Sequence, residues 1–227
     1  AAGTYLRGIN YAADSLAFTT GATTSITPGA NLYFQTTGAI TAQTTATFTT
    51  LNIAGPANFT LADTQTLTVN GILKTGGNAA TFSGGSALQP AALADLVIRT
   101  DLATDQLTIA TPILATTQLV KSGAGTLKLT GANDYATMTN INVGGGTLSL
   151  TIDTLASTAA VIPLMNSATV AIDGSQDLTL TGVISGLGSI MKTGGNTLIL
   201  TGTNSYVGST TINGGVPMDL EAYVASI

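Results

Sequence analysis

Few side chains in this chain could do chemistry, and each candidate set has a plain structural reading beside it. "SIMK" at Ser189–Lys192 fits the S-x-x-K pattern of acyl-transferring serine enzymes, and "KTG" stands at Lys74 and again at Lys192. Such enzymes need the lysine one helical turn after the serine and the KTG triplet on a separate strand. Here Lys192 belongs to both motifs and Ser189 follows a glycine turn, so the acyl-transfer reading is set aside. Asp95, Asp101 and Asp105 surround Arg99 and offer oxygens to a calcium ion. Their spacings of six and four fit no calcium loop, and a solvated face with a local ion pair is the better expectation. Asp173 and Asp177, in "DGSQD", flank a turn. "GLGS" and "GAGT" echo phosphate-binding loops, but neither opens the helix that such a loop requires. Tyr135 and Tyr206 could stack on a glycan. A polysaccharide lyase would also need clustered carboxylates and bases, and six Lys and Arg spread over 227 residues supply neither.

Composition narrows the field further. The chain is 44% hydrophobic and only 7% charged, with a formal net charge of -5. Ordinary globular chains carry about 25% charged residues. High hydrophobicity with low charge argues for order. Threonine fills roughly a fifth of the positions, with abundant Gly and Asn. Thr suits a pleated surface and Gly and Asn suit turns. There is no cysteine and no histidine, which removes disulfides, thiolate metal sites and the commonest proton shuttle. No metal and no cofactor is expected. An acidic chain with a pI near 4.2 is a poor nucleic-acid partner. No apolar run approaches the roughly 20 residues of a membrane helix, so no membrane insertion of this segment is expected. The opening "AAGTYLRG", with neither Met nor a signal peptide, reads as a mature or excised segment of something longer.

The scarce lysines recur beside the same glycines. "KTGGN" occurs at Lys74–Asn78 and at Lys192–Asn196, and "KSGAG" at Lys121–Gly125. The separations of 47 and 71 residues are two and three times about 24, a period in the range of stacked repeats. The flanks agree without a gap. "KSGAGTLKLTGANDYATMTNIN" from Lys121 matches "KTGGNTLILTGTNSYVGSTTIN" from Lys192. Gly123 pairs with Gly194, Leu127 and Leu129 with Leu198 and Leu200, Asn133 with Asn204, and Tyr135 with Tyr206. Around Lys74 and Gly76 the copy degenerates after Asn78.

These elements must be short strands. "TLKL" and "TLIL" alternate apolar and polar with period two, as a strand with one buried face does. Turn residues follow every four to six positions. The predicted fold is all-β, a parallel β-helix of about 24 residues per coil and roughly nine or ten coils. Each strand pairs with its equivalent one coil away, and each coil is too thin to stand alone. Leu127, Leu129, Leu198 and Leu200 point inward, and Lys128 points outward. Gly76, Gly123 and Gly194 take sharp corners with positive φ. Lys74, Lys121 and Lys192 sit beside those corners with their heads in water. Asn133, Asn204 and both tyrosines occupy further corners.

The stretch "KTGGNTLILTGTNSYVGSTTINGG" at Lys192–Gly215 resembles the autotransporter-associated β-strand repeat, also called the passenger-associated transport repeat. Lys121–Leu148 resembles it nearly as well, departing at Ala136-Thr137. Ala94–Leu114 is similar to a segment that often precedes such repeats. The resemblance implies a right-handed parallel β-helix on the bacterial surface, part of a very large protein, with no catalytic residues to carry over.

The expected organisation is a solenoid over 1–216, with 1–20 as an N-terminal cap or subunit contact, and a cap or docking tail over 217–227. After Pro217 the tail carries Leu220, Tyr223, Val224 and Ile227 on one apolar side, an expected assembly contact. The functional expectation is a non-catalytic extracellular rod that stacks end to end or continues into further repeats of a longer chain. The alternative is an adhesin contacting a cell-surface ligand, and a carbohydrate-active enzyme ranks last.

Overall fold

The computed structural model describes residues 10–11, 13–27, 33–92, 94–114, 118–133, 138–151, 168–174 and 177–214, with 157–158 and 162–164 as backbone only. Tyr135 and the tail positions Leu220, Tyr223, Val224 and Ile227 lie outside the described residues.

Alternation of apolar and polar residues makes the strands, and recurring turn residues fold them into a coil. Among the described residues every strand pairing is parallel, and each joins residues one winding apart. Two long stacks result. The first face runs from Ala17–Thr20 through Gln118–Ser122 to Ser205–Tyr206, ten strands deep along its path. The second face runs from Ile40–Gln43 through Thr126–Leu129 to Thr210–Ile212, nine strands deep. A third face is distinct in the C-terminal half, where Ser157–Thr158, Leu178–Leu180 and Leu198–Leu200 stack. In the N-terminal half it is carried by the leading halves of two long strands, Ala46–Ala54 and Thr66–Thr75, whose ladder skips a residue at Thr49. The architecture is an all-β parallel solenoid, with no helix among the described residues.

Side chains of one parity fill the interior. Leu107, Leu127, Leu148, Val170 and Ile190 occupy one inward column of the second face, and all are 1% exposed or less. The same column logic buries Leu129, Leu198 and Leu200. The buried apolar residues form one continuous cluster, because no single winding is thick enough to bury its own face. Phenylalanine fills the N-terminal part. Phe34 and Phe48 approach to 4.4 Å between centroids, and Phe59 stacks on Phe82 at 5.0 Å. Leucine and isoleucine take over from Leu96 onward.

The winding is shorter than the lysine spacing implies. Along the second face the register steps by 27 residues from Phe82 to Ile109, then by 20 from Leu107 to Leu127 and by 21 from Leu127 to Leu148. It continues by 22 from Leu148 to Val170 and 20 from Val170 to Ile190. The 71 residues between Lys121 and Lys192 are therefore not three whole windings. Lys121 lies on the first face and Lys192 on the second. The sequence repeat is a unit of strand, corner and strand, and its copies start on different faces. Lys74 and Lys121 do share the first face. Lys74 is level with Thr100 and Lys121 with Ile98, so they differ by two residues along the strand.

Candidate functional site: lysine-capped glycine corners

The three motif lysines are interior. Lys74 and Lys121 are 0% exposed and Lys192 is 1% exposed, so their heads are not in water. Parity explains it: Lys74 follows Ile72, Lys121 follows Leu119 and Lys192 follows Ile190 by two residues, and all three preceding residues are buried. A strand places i and i+2 on one face. The signal was present in the alternation, and the usual exposure of lysine masks it.

Each ammonium turns back toward the corner that ends its own strand. Lys74 Nζ donates to Thr75 O at 2.7 Å and to Asp105 Oδ1 at 3.3 Å. Lys121 Nζ donates to Ser122 O at 2.8 Å, Gly123 O at 3.1 Å and Gly145 O at 3.0 Å. Lys192 Nζ donates to Gly194 O. Two of the three thus bridge their own corner to the corner of the next winding, Lys74 through Asp105 and Lys121 through Gly145. A buried charge is expensive unless it is hydrogen-bonded or paired, and corner carbonyls facing inward need donors. Each lysine answers both needs.

Electrostatics separate the sites. Burial alone would raise the Asp105 carboxyl. N–H donation from Leu102 at 2.8 Å and Gly77 at 2.8 Å, with the Lys74 ammonium, outweighs it and holds Asp105 below the usual range. Lys121 has no carboxylate partner. Burial, reinforced by the Arg99 charge, lowers it to about 8. Burial also lowers Lys192, with Asp173 and Asp177 opposing the shift.

Glycine makes the outer side of these corners. Gly76 and Gly123 have φ of 96° and 80°, a region that other L-residues enter at a cost. A Cβ on Gly76 would also stand 2.7 Å from Gly55 N. Gly194 differs from the expectation, because its φ is not positive. It is glycine for space: a Cβ there would lie 2.3 Å from Gly174 O. The backbones of consecutive corners are packed too closely for side chains, so the motif returns wherever such a corner does.

Asn133 and Asn204 are equivalent in action. Asn133 Oδ1 accepts from Ile113 N at 2.8 Å and Asn204 Oδ1 from Ile184 N at 2.9 Å, in each case 20 residues back. The side chain extends the ladder across a corner where backbone pairing lapses. Tyr206 is buried, with its hydroxyl 2.5 Å from Thr210 Oγ1, so it packs and does not form part of an open aromatic ladder.

The other candidate chemistry disperses. Ser189 points outward and takes a hydrogen bond from Ser209 N at 3.1 Å, while Lys192 points inward. An odd spacing on a strand puts the two on opposite sides. Asp101 pairs with Arg99 at 2.6 Å on the surface, Asp95 takes a bond from Gln118 and Asp105 is buried with Lys74. Among the described residues no three His, Cys, Asp or Glu side chains come together. Lys128 is half-exposed and reaches Asp173 at 3.4 Å across two windings.

These corners coincide with matches to known proteins. The passenger-associated-transport-repeat model matches residues 119–150 and 191–216, the stretches that open on Lys121 and Lys192. The adhesin BmaC autotransporter of Brucella suis biovar 1 (strain 1330) is 32% identical over 181 residues, covering 66% of this chain and 5% of that protein. The chain thus spans a small part of the curated relative it matches. No solved structure matches it. The chain is a parallel β-solenoid that carries matches to the passenger-associated transport repeat at residues 119–150 and 191–216.

Proposed function

We propose that this chain is a non-catalytic rod on the outside of a bacterial cell, a spacer within a larger surface protein. The observation that carries the reading is the unbroken parallel stack. Its polar side chains, including the buried lysines, are spent on holding windings together. At about 4.8 Å per winding, nine windings make a rod about 45 Å long. Autotransporter repeats at two places and a relative named as an autotransporter adhesin support the location.

The relative's name favours a second reading, in which an exposed face of this segment itself contacts a cell-surface ligand. One experiment separates the two. The chain is displayed on a non-adherent bacterium, and its dimensions are measured by negative-stain microscopy of the purified protein. Rods of the expected length without gain of adherence support the spacer. Adherence above the undecorated strain, lost when outward residues of one face are changed, supports the adhesin. Globular particles would overturn both.

A further inference from the structure

The Lys121 corner holds its ammonium in a way the Lys74 corner does not. Three backbone oxygens meet on Lys121 Nζ: Ser122 O at 2.8 Å, Gly123 O at 3.1 Å and Gly145 O at 3.0 Å, the last from the following winding. No carboxylate joins them, because Gly125 and Gly146 hold by register the place of Asp105. Close backbone packing fixes these oxygens. A Cβ on Gly123 would lie 2.0 Å from Thr100 O, and one on Gly146 would lie 2.3 Å from Gly125 O. The Lys121 side chain is level with Ile98 on one side and Val143 on the other, both 0% exposed. The oxygens thus close the end of an apolar sleeve as long as a lysine stem.

We propose that the inner side of this corner is a cation site in its own right, one that takes a short primary alkylammonium ion and has Lys121 as its built-in occupant. The oxygen distances select the ion. They match N–H···O bonds and exceed the roughly 2.3–2.6 Å of a calcium site or the roughly 2.0–2.1 Å of a magnesium site. Carbonyl dipoles alone suit a single charge, since a divalent ion taken out of water needs anionic partners. A primary ammonium head supplies three N–H donors for the three acceptors, whereas a quaternary ammonium supplies none. The sleeve between Ile98 and Val143 adds apolar contact for the carbon stem. The Lys74 corner is no such cage, since its ammonium meets one carbonyl and a carboxylate. The site stands on the corner alone and holds whether the rod is a spacer or an adhesin.

Lys121→Ala cuts the tether and leaves the cage and the sleeve. Urea unfolding of this variant, followed by circular dichroism at neutral pH, is run in n-propylammonium chloride and in tetramethylammonium chloride at equal concentrations. Propylammonium should stabilise the variant, its folded-to-unfolded ratio rising about elevenfold at ten times the dissociation constant, and tetramethylammonium should not. The unaltered chain, whose own ammonium fills the cage, should respond alike to both salts. So should Lys121→Met, whose side chain fills the sleeve. If Lys121→Ala does not fold in plain buffer, its refolding in the two salts is compared, and recovery in propylammonium alone supports the site. Equal effects of the two salts on Lys121→Ala, an equal propylammonium gain in the unaltered chain, or no refolding in either salt would each overturn the proposal.

Discussion

Lys74 and Lys121 stand on the same face of the solenoid, two windings apart, and solve one problem in two ways. Each buries an ammonium at the same corner. Lys74 finds a buried carboxylate in the next winding, Asp105. By register the place of Asp105 passes to Gly125 and then to Gly146 in the following windings, so Lys121 meets only backbone oxygens. The comparison teaches that the corner demands an interior donor, whereas the counter-charge is optional.

The largest effect should come from breaking the paired site. Asp105→Ala leaves Lys74 charged, interior and bonded to one carbonyl, and removes the acceptor of two N–H groups. A loss of about 3–5 kcal/mol is expected, read as a fall in the urea midpoint. Lys74→Met is milder, about 2 kcal/mol, since Asp105 keeps its bonds from Gly77 and Leu102. Equal losses for the two substitutions would show that the pair has no such asymmetry.

A pH series sharpens the contrast. The Lys121 pKa of about 8 lies below the ordinary lysine value near 10.4. Between those values the unfolded chain holds more protons than the folded one, so stability rises with pH. The penalty is fully present below about pH 8. The gain from pH 8 to pH 10 should be about 2 kcal/mol and should shrink in Lys121→Met. The lowered Lys192 adds a contribution of the same sign, so the rise should not vanish. The smallest effect is Lys121→Met at pH 7, within about 1 kcal/mol of the parent. The substitution orphans carbonyls but relieves a desolvated charge with no partner to strand. A loss above about 3 kcal/mol there would place the two corners on the same footing.

Much of the fold was legible, for reasons that also explain what was not. Period-two alternation in "TLKL" and "TLIL" and the turn residues between them point to short stacked strands and inward leucines. The matched flanks of Lys121 and Lys192 point to a repeat. Winding length was not legible, because it depends on how many residues each corner spends. The corner around Asp101–Asp105 takes more than the one at Gly144–Gly146, and the register widens there. Equating motif spacing with whole windings therefore put Lys121 and Lys192 on one face. The habit of the residue type points the lysine heads to water, whereas their parity with Ile72, Leu119 and Ile190 points inward. Nearness in sequence groups Asp105 with Asp95 and Asp101. Its real neighbour lies 31 residues back.

The face change between the two complete motifs bears on anything that grips this molecule from outside. A ligand seated on the Lys121 motif would find the next copy not straight along the rod but a third of the way around it. A flat partner would touch only one of the two copies, while one that wraps the shaft could hold both.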